Sequence, residues 1–60
     1  MSDIELKGAI VKYLDNSVIF LDFETGLEID LPRDQIAIVE DVAGELVTMP
    51  IKLAIAKGVY

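Results

Sequence analysis

The chain has 60 residues, with 11 acids against 5 bases, no histidine, no cysteine and a formal net charge of −6. These counts allow one domain, residues 1–60, exclude disulfides, leave no ligand set for structural zinc, and put phosphate backbones and anionic membrane surfaces at a disadvantage as partners. A domain of this length buries only about 60% of the surface its unfolded chain exposes, yet 53% of the residues are apolar, so some of that surface is expected to meet another chain.

Residues 4–14 read as a strand with Ile4, Leu6 and Ile10 on one face, and Gly8 inside it predicts a bulge or tight bend. Asp15-Asn16-Ser17 is a turn. Residues 18–23 are apolar on both parities (Val18, Ile19, Phe20, Leu21, Phe23), the pattern of a strand covered on both faces, one by the core and one by a second subunit. Glu24-Thr25-Gly26 is the next turn. Residues 27–31 alternate, placing Leu27, Ile29 and Leu31 inward and Glu28 and Asp30 outward, and Pro32 ends the strand. Residues 32–35 form one helical turn and 36–39 a fourth strand. Residues 40–45 form an acidic loop around Gly44 with Val42 turned inward, and 46–49 form a fifth strand. Pro50 opens a helix over 50–57 that Gly58 stops. On its wheel Ile51, Ala54 and Ile55 share a face, with Leu53 nearly opposite and in need of a second surface.

The expected fold is therefore mainly β: a small five-stranded antiparallel barrel, SH3-like or Sm-like, with a short C-terminal helix. No segment is apolar over a bilayer's thickness, and the start lacks the basic-then-apolar order of a signal peptide. A cytoplasmic location is expected.

Familiar nucleophilic catalysis needs a nucleophile beside a base, and only Ser2, Ser17, Thr25 and Thr48 offer hydroxyls, none with an evident base. Glu28 and Asp30 share a strand face, with Asp22 a candidate neighbour, but that face is the solvated one. The four glycines fall in no phosphate-binding pattern. No catalytic residue, metal or cofactor is expected.

The segment Leu31-Pro32-Arg33-Asp34-Gln35-Ile36, followed by Val47-Thr48-Met49-Pro50 through Leu53-Ala54 to Lys57-Gly58-Val59, resembles a type of short phage- or prophage-encoded accessory protein. The resemblance covers roughly residues 27–60. That pattern usually carries an aromatic just before the Leu-Ala pair, where this chain has Lys52, so no role of that aromatic carries over. The resemblance implies a small viral accessory protein that docks on a host protein, components of antiviral defence included, and it brings no catalytic residues.

Together these readings predict a non-enzymatic protein-binding module, a homodimer that modulates or inhibits a larger, basic host protein. Self-association is assigned to Val18, Phe20, Ile51, Leu53, Ile55 and Tyr60. Partner binding is assigned to Asp22, Glu24, Glu28, Asp30, Glu40, Asp41 and Glu45. The alternative is a single-strand-binding barrel using a platform at Lys12 and Tyr13; five scattered bases make a poor funnel for a phosphate chain.

Overall fold

A computed structural model describes residues 2–60; Met1 lies outside the described part of the domain. The elements run β1 (Asp3–Tyr13), β2 (Ser17–Asp22), β3 (Glu28–Pro32), a 3-10 turn (Arg33–Gln35), β4 (Ala37–Asp41), β5 (Gly44–Pro50) and α1 (Ile51–Ala56). All five strands lie in one antiparallel sheet, in the order β3-β2-β1-β5-β4. The expected barrel does not close, since β3 and β4 are the two ends of this order and do not pair with each other.

β1 carries the sheet by changing partners along its length. Its first half, Asp3 to Gly8, pairs with β5. Its second half, Gly8 to Tyr13, pairs with β2. Gly8 is the one residue in both registers, opposite Glu45 on one side and Asp22 on the other. The crossing is tight, because a Cβ on Gly8 would overlap the Leu21 carbonyl oxygen and lie 2.5–2.9 Å from the Phe20 ring. One built on Gly44 would overlap the Gly8 carbonyl. Glycine is therefore required at both positions by close backbone approach. The bulge expected at Gly8 falls instead between Ile10 and Lys12.

The concave side of this bent sheet holds the core: Leu6, Val18, Phe20, Ile29, Leu31, Val47, Met49 and Ala54 are buried. The register explains the set, since Val18 faces Leu31, Phe20 faces Ile29 and Leu6 faces Val47, each pair on one side of the sheet. This corrects the assignment of Val18 and Phe20 to a subunit interface. Val18 and Phe20 are both fully enclosed within the protomer, so neither is available for self-association. Their neighbours Ile19 and Leu21 point to the outer face and are half-buried. Leu27 is another correction, lying outside β3 in the turn and exposed rather than in the core.

α1 packs against the core with Ala54 buried and Leu53 half-buried against the cluster, while Ile55 is exposed. The docked face is thus centred between Leu53 and Ala54, about a quarter-turn from the face expected from the wheel. Pro50 is the N-cap rather than the first helical residue. The stop is a Schellman motif: the Val59 N–H donates to the Ala54 carbonyl at 3.0 Å and the Gly58 N–H to Ile55 at 3.1 Å, with Gly58 at φ 78°. Val59 follows the motif inward and packs on the core.

Gly8→Ala is expected to cost the upper end of the ~1–3 kcal/mol typical of overpacking, because one overlapped atom is backbone and cannot swing aside. Gly26→Ala meets no atom within 4 Å, and its cost should be limited to the ~1–2 kcal/mol of placing a side chain at positive φ. Urea denaturation of the two variants checks this order; equal midpoints would contradict it.

Candidate functional site

Because both hairpins end where β1 changes partners, their tips meet. The β2–β3 turn brings Phe23, Glu24 and Leu27, and the β4–β5 loop brings Val42 and Ala43 between Asp41 and Gly44. A small crevice of about 20 Å³ is lined by Lys7, Phe23, Asp41, Ala43, Gly44 and Glu45. A Cβ on Gly44 would stand 3.5 Å from the Phe23 ring. A larger groove of about 400 Å³ opens on the other side of Phe23, between Glu5, Leu6, Lys7, Asp22 and Glu24. Phe23, Leu27 and Val42 are all exposed on these two turns, and Phe23 shares the small crevice with the carboxylates Asp41 and Glu45. Val42, expected to pack inward, is fully exposed. The residues expected to form a six-residue acidic loop are mostly strand, since Asp41 pairs with Gly44 and Glu40 with Glu45.

Asp22 builds one tip from inside. Its side chain is buried, on the same parity as Val18 and Phe20. One carboxylate oxygen accepts the Glu24 N–H at 3.1 Å and the other accepts the Thr25 hydroxyl at 3.0 Å. Its backbone N–H donates to Leu27 at 2.9 Å, and its carbonyl accepts the Gly26 N–H at 2.8 Å. Asp22 is therefore a turn organiser, an Asx-type arrangement. Its assignment to the partner-binding surface and to the Glu28–Asp30 face is corrected: it points inward and is not exposed.

Glu45 does comparable work at the other tip. β5 ends beside Gly8, so β1 beyond that point has no neighbour on this edge. The Glu45 carboxylate fills in by accepting the Ile10 N–H at 2.9 Å. Glu45 also stands directly opposite Glu40, and like charges so placed are destabilising. The bond to Ile10 draws one of the two charges away from the other.

The remaining partner-binding candidates separate. Glu24, Glu40, Asp41 and Glu45 belong to the tips, whereas Glu28 and Asp30 lie on the outer face of β3 opposite Leu21 and Ile19. Of the self-association candidates on and after α1, Ile51 and Leu53 are half-buried, and Ile55 and Tyr60 are exposed. Sequence reasoning passed over Phe23, Leu27 and Val42 as surface groups; the turn residues beside each were the available signal. Away from the tips, Arg33 sits 5.5 Å from the Tyr13 ring centre and donates to the Leu14 carbonyl at 3.1 Å, next to a cleft lined by Asp15, Asn16 and Asp34. Among the described residues no three His, Cys, Asp or Glu side chains converge as metal ligands, and no helix is long and apolar enough to cross a membrane.

The chain matches no protein-family model, no curated protein and no solved structure.

Two variants test this local account. Asp22→Ala strips a buried network and is expected to cost about 1–3 kcal/mol. Glu40→Lys replaces a like-charge pair by an opposite one and is expected to stabilise by about 0.2–1 kcal/mol. Thermal or urea unfolding reads both signs; a destabilised Glu40→Lys would contradict the pairing described here.

Proposed function

We propose that this chain is a small non-enzymatic protein-binding module that docks on a larger, basic protein through its two hairpin tips. The carrying observation is that exposed Phe23 shares a crevice with Asp41 and Glu45, while Leu27 and Val42 stand exposed on the same two turns. Apolar groups at the centre with charge around them is the usual anatomy of a recognition patch. An aromatic such as Phe23 is the natural anchor. The acidic surround suits lysine and arginine on the partner and speeds encounter. The likeness of the second half to phage accessory proteins adds a direction: the partner is a host protein that the module modulates or inhibits in the cytoplasm. The module acts as a homodimer, and its bent sheet with a helix at one end is a variant of the SH3-like and Sm-like plan. Single-strand binding would have to use the Tyr13–Arg33 stack near Lys12, where Asp15 and Asp34 oppose phosphate.

Photo-crosslinking tests the reading. Benzoylphenylalanine placed at Phe23 or at Val42 should capture one and the same protein from a host lysate, and the same probe at Lys52 should not. Glu40→Lys combined with Asp41→Lys should reduce that capture at least tenfold, with the effect shrinking as salt is raised. Equal capture from Lys52, or capture indifferent to the charge reversals, would defeat the proposal.

A further inference from the structure

The open sheet ends in two edge strands, β3 and β4, and they are not equivalent. Antiparallel pairing alternates residues whose backbone groups bond the neighbour with residues whose groups point away. The Phe23 N–H donates to the Lys7 carbonyl, which sets Lys7 toward β2 and its neighbours Leu6 and Gly8 toward β5. Carried through the register, Val47 and Glu45 turn to β1, while Leu46 and Thr48 turn to β4. On β4, Ala37, Val39 and Asp41 therefore bond β5, and the N–H and C=O groups of Ile38 and Glu40 face outward. The same alternation on β3 turns Glu28 and Asp30 outward.

β3 is defended against pairing with a copy of itself. Its end is Pro32, which has no N–H, and an antiparallel two-fold about Ile29 or Asp30 sets acid beside acid. β4 carries no such block. An antiparallel two-fold about Val39 places Val39 against its copy, Ala37 against Asp41, and Ile38 against Glu40, so no two acids of the strand face each other. The outward groups of Ile38 and Glu40 then meet as hydrogen-bonded pairs, giving four backbone bonds around a closely spaced valine pair. Val39 is also an exposed β-branched residue, at 57%.

We infer that the β4 edge is the self-association surface, and that a second copy of this chain occupies it, extending two five-stranded sheets into one of ten strands. The inference rests on the homodimer in the proposed function and names its surface, in place of the helix residues Ile55 and Tyr60. The two-fold closes on itself, so it stops at a dimer rather than growing a fibre. Registers of β4 on a partner's β3 that oppose Glu40 to Glu28 or Asp30 set acid against acid, which disfavours open-ended growth through them. An edge of five residues buries little area, so the association is weak and concentration-dependent.

Sedimentation and amide exchange, run on the intact chain from micromolar to millimolar concentration, test this. The apparent mass should rise toward twice the 6.6 kDa protomer. Exchange at Ile38 and Glu40 should slow at least tenfold over that range, while Val39, already bonded to β5, stays unchanged. Val39→Lys, at an exposed site, should fold by circular dichroism and shift dimerisation to at least tenfold higher concentration. Phe23→Ser should leave dimerisation unaffected. A dimer whose Ile38 and Glu40 amides stay unprotected would overturn the edge assignment while keeping the homodimer. A monomer at millimolar concentration would overturn both.

Discussion

The fold depends on a steric constraint at the middle of β1. Gly8 lies against the Leu21 carbonyl, the Phe20 ring and Gly44 with no room for a side chain. That contact lets one strand serve two hairpins, pairing with β5 up to Gly8 and with β2 from Gly8 onward. A flat five-stranded sheet would leave one face of this short chain uncovered. The two hairpins that share β1 supply Phe20 and Val18 from one and Val47 and Met49 from the other to a single core. The helix then covers that core with Leu53 and Ala54.

A strand that changes partners pays in unpaired backbone, and two carboxylates answer for it. Glu45 takes the Ile10 N–H where β5 has ended, and Asp22 gathers the Glu24 N–H and the Thr25 hydroxyl where β2 turns away. Both acids would look like surface charge in a list of residues. Each is worth more than a surface charge because its removal leaves a backbone donor without a partner. The acidity of the chain is thus partly structural, and the acids left over for a partner are fewer than the composition suggests.

Much of this was legible beforehand. Alternation in residues 27–31 and the punctuation at Asp15-Asn16-Ser17, Pro32, Pro50 and Gly58 located the strands, the 3-10 turn and the helix to within a residue or two. What stayed hidden was which side of each element faces inward. In β2 both parities are apolar, so nothing local distinguished Val18 and Phe20, which are enclosed, from Ile19 and Leu21, which are not; packing against the other hairpin and α1 makes that choice. The same holds in α1, where Leu53 and Ile55 are equally apolar, and the direction from which the helix meets the sheet decides between them. Barrel closure was not legible, because strand number and order do not reveal how far a sheet curls. The cluster at the tips depends on two turns far apart in sequence meeting at one glycine, which no window of residues displays.

The hairpin tips differ from the elements around them in how well local rules are met. The helix has its Schellman stop, the β3 edge has its proline and outward acids, and the buried side chain of Asp22 is satisfied. At the tips the pattern reverses. A β-branched valine stands fully exposed in a two-residue loop, a phenylalanine is half exposed, and Glu40 stands opposite Glu45 where an opposite charge would be more stable. Large apolar side chains are also exposed elsewhere, at Val11, Tyr13, Leu14, Val39, Ile55 and Tyr60. At the tips they coincide with an opposed like-charge pair, Glu40 and Glu45, the kind of local inconsistency that functional sites carry. That coincidence, in a chain with so few reactive groups, is the physical ground for proposing the tips as the docking surface.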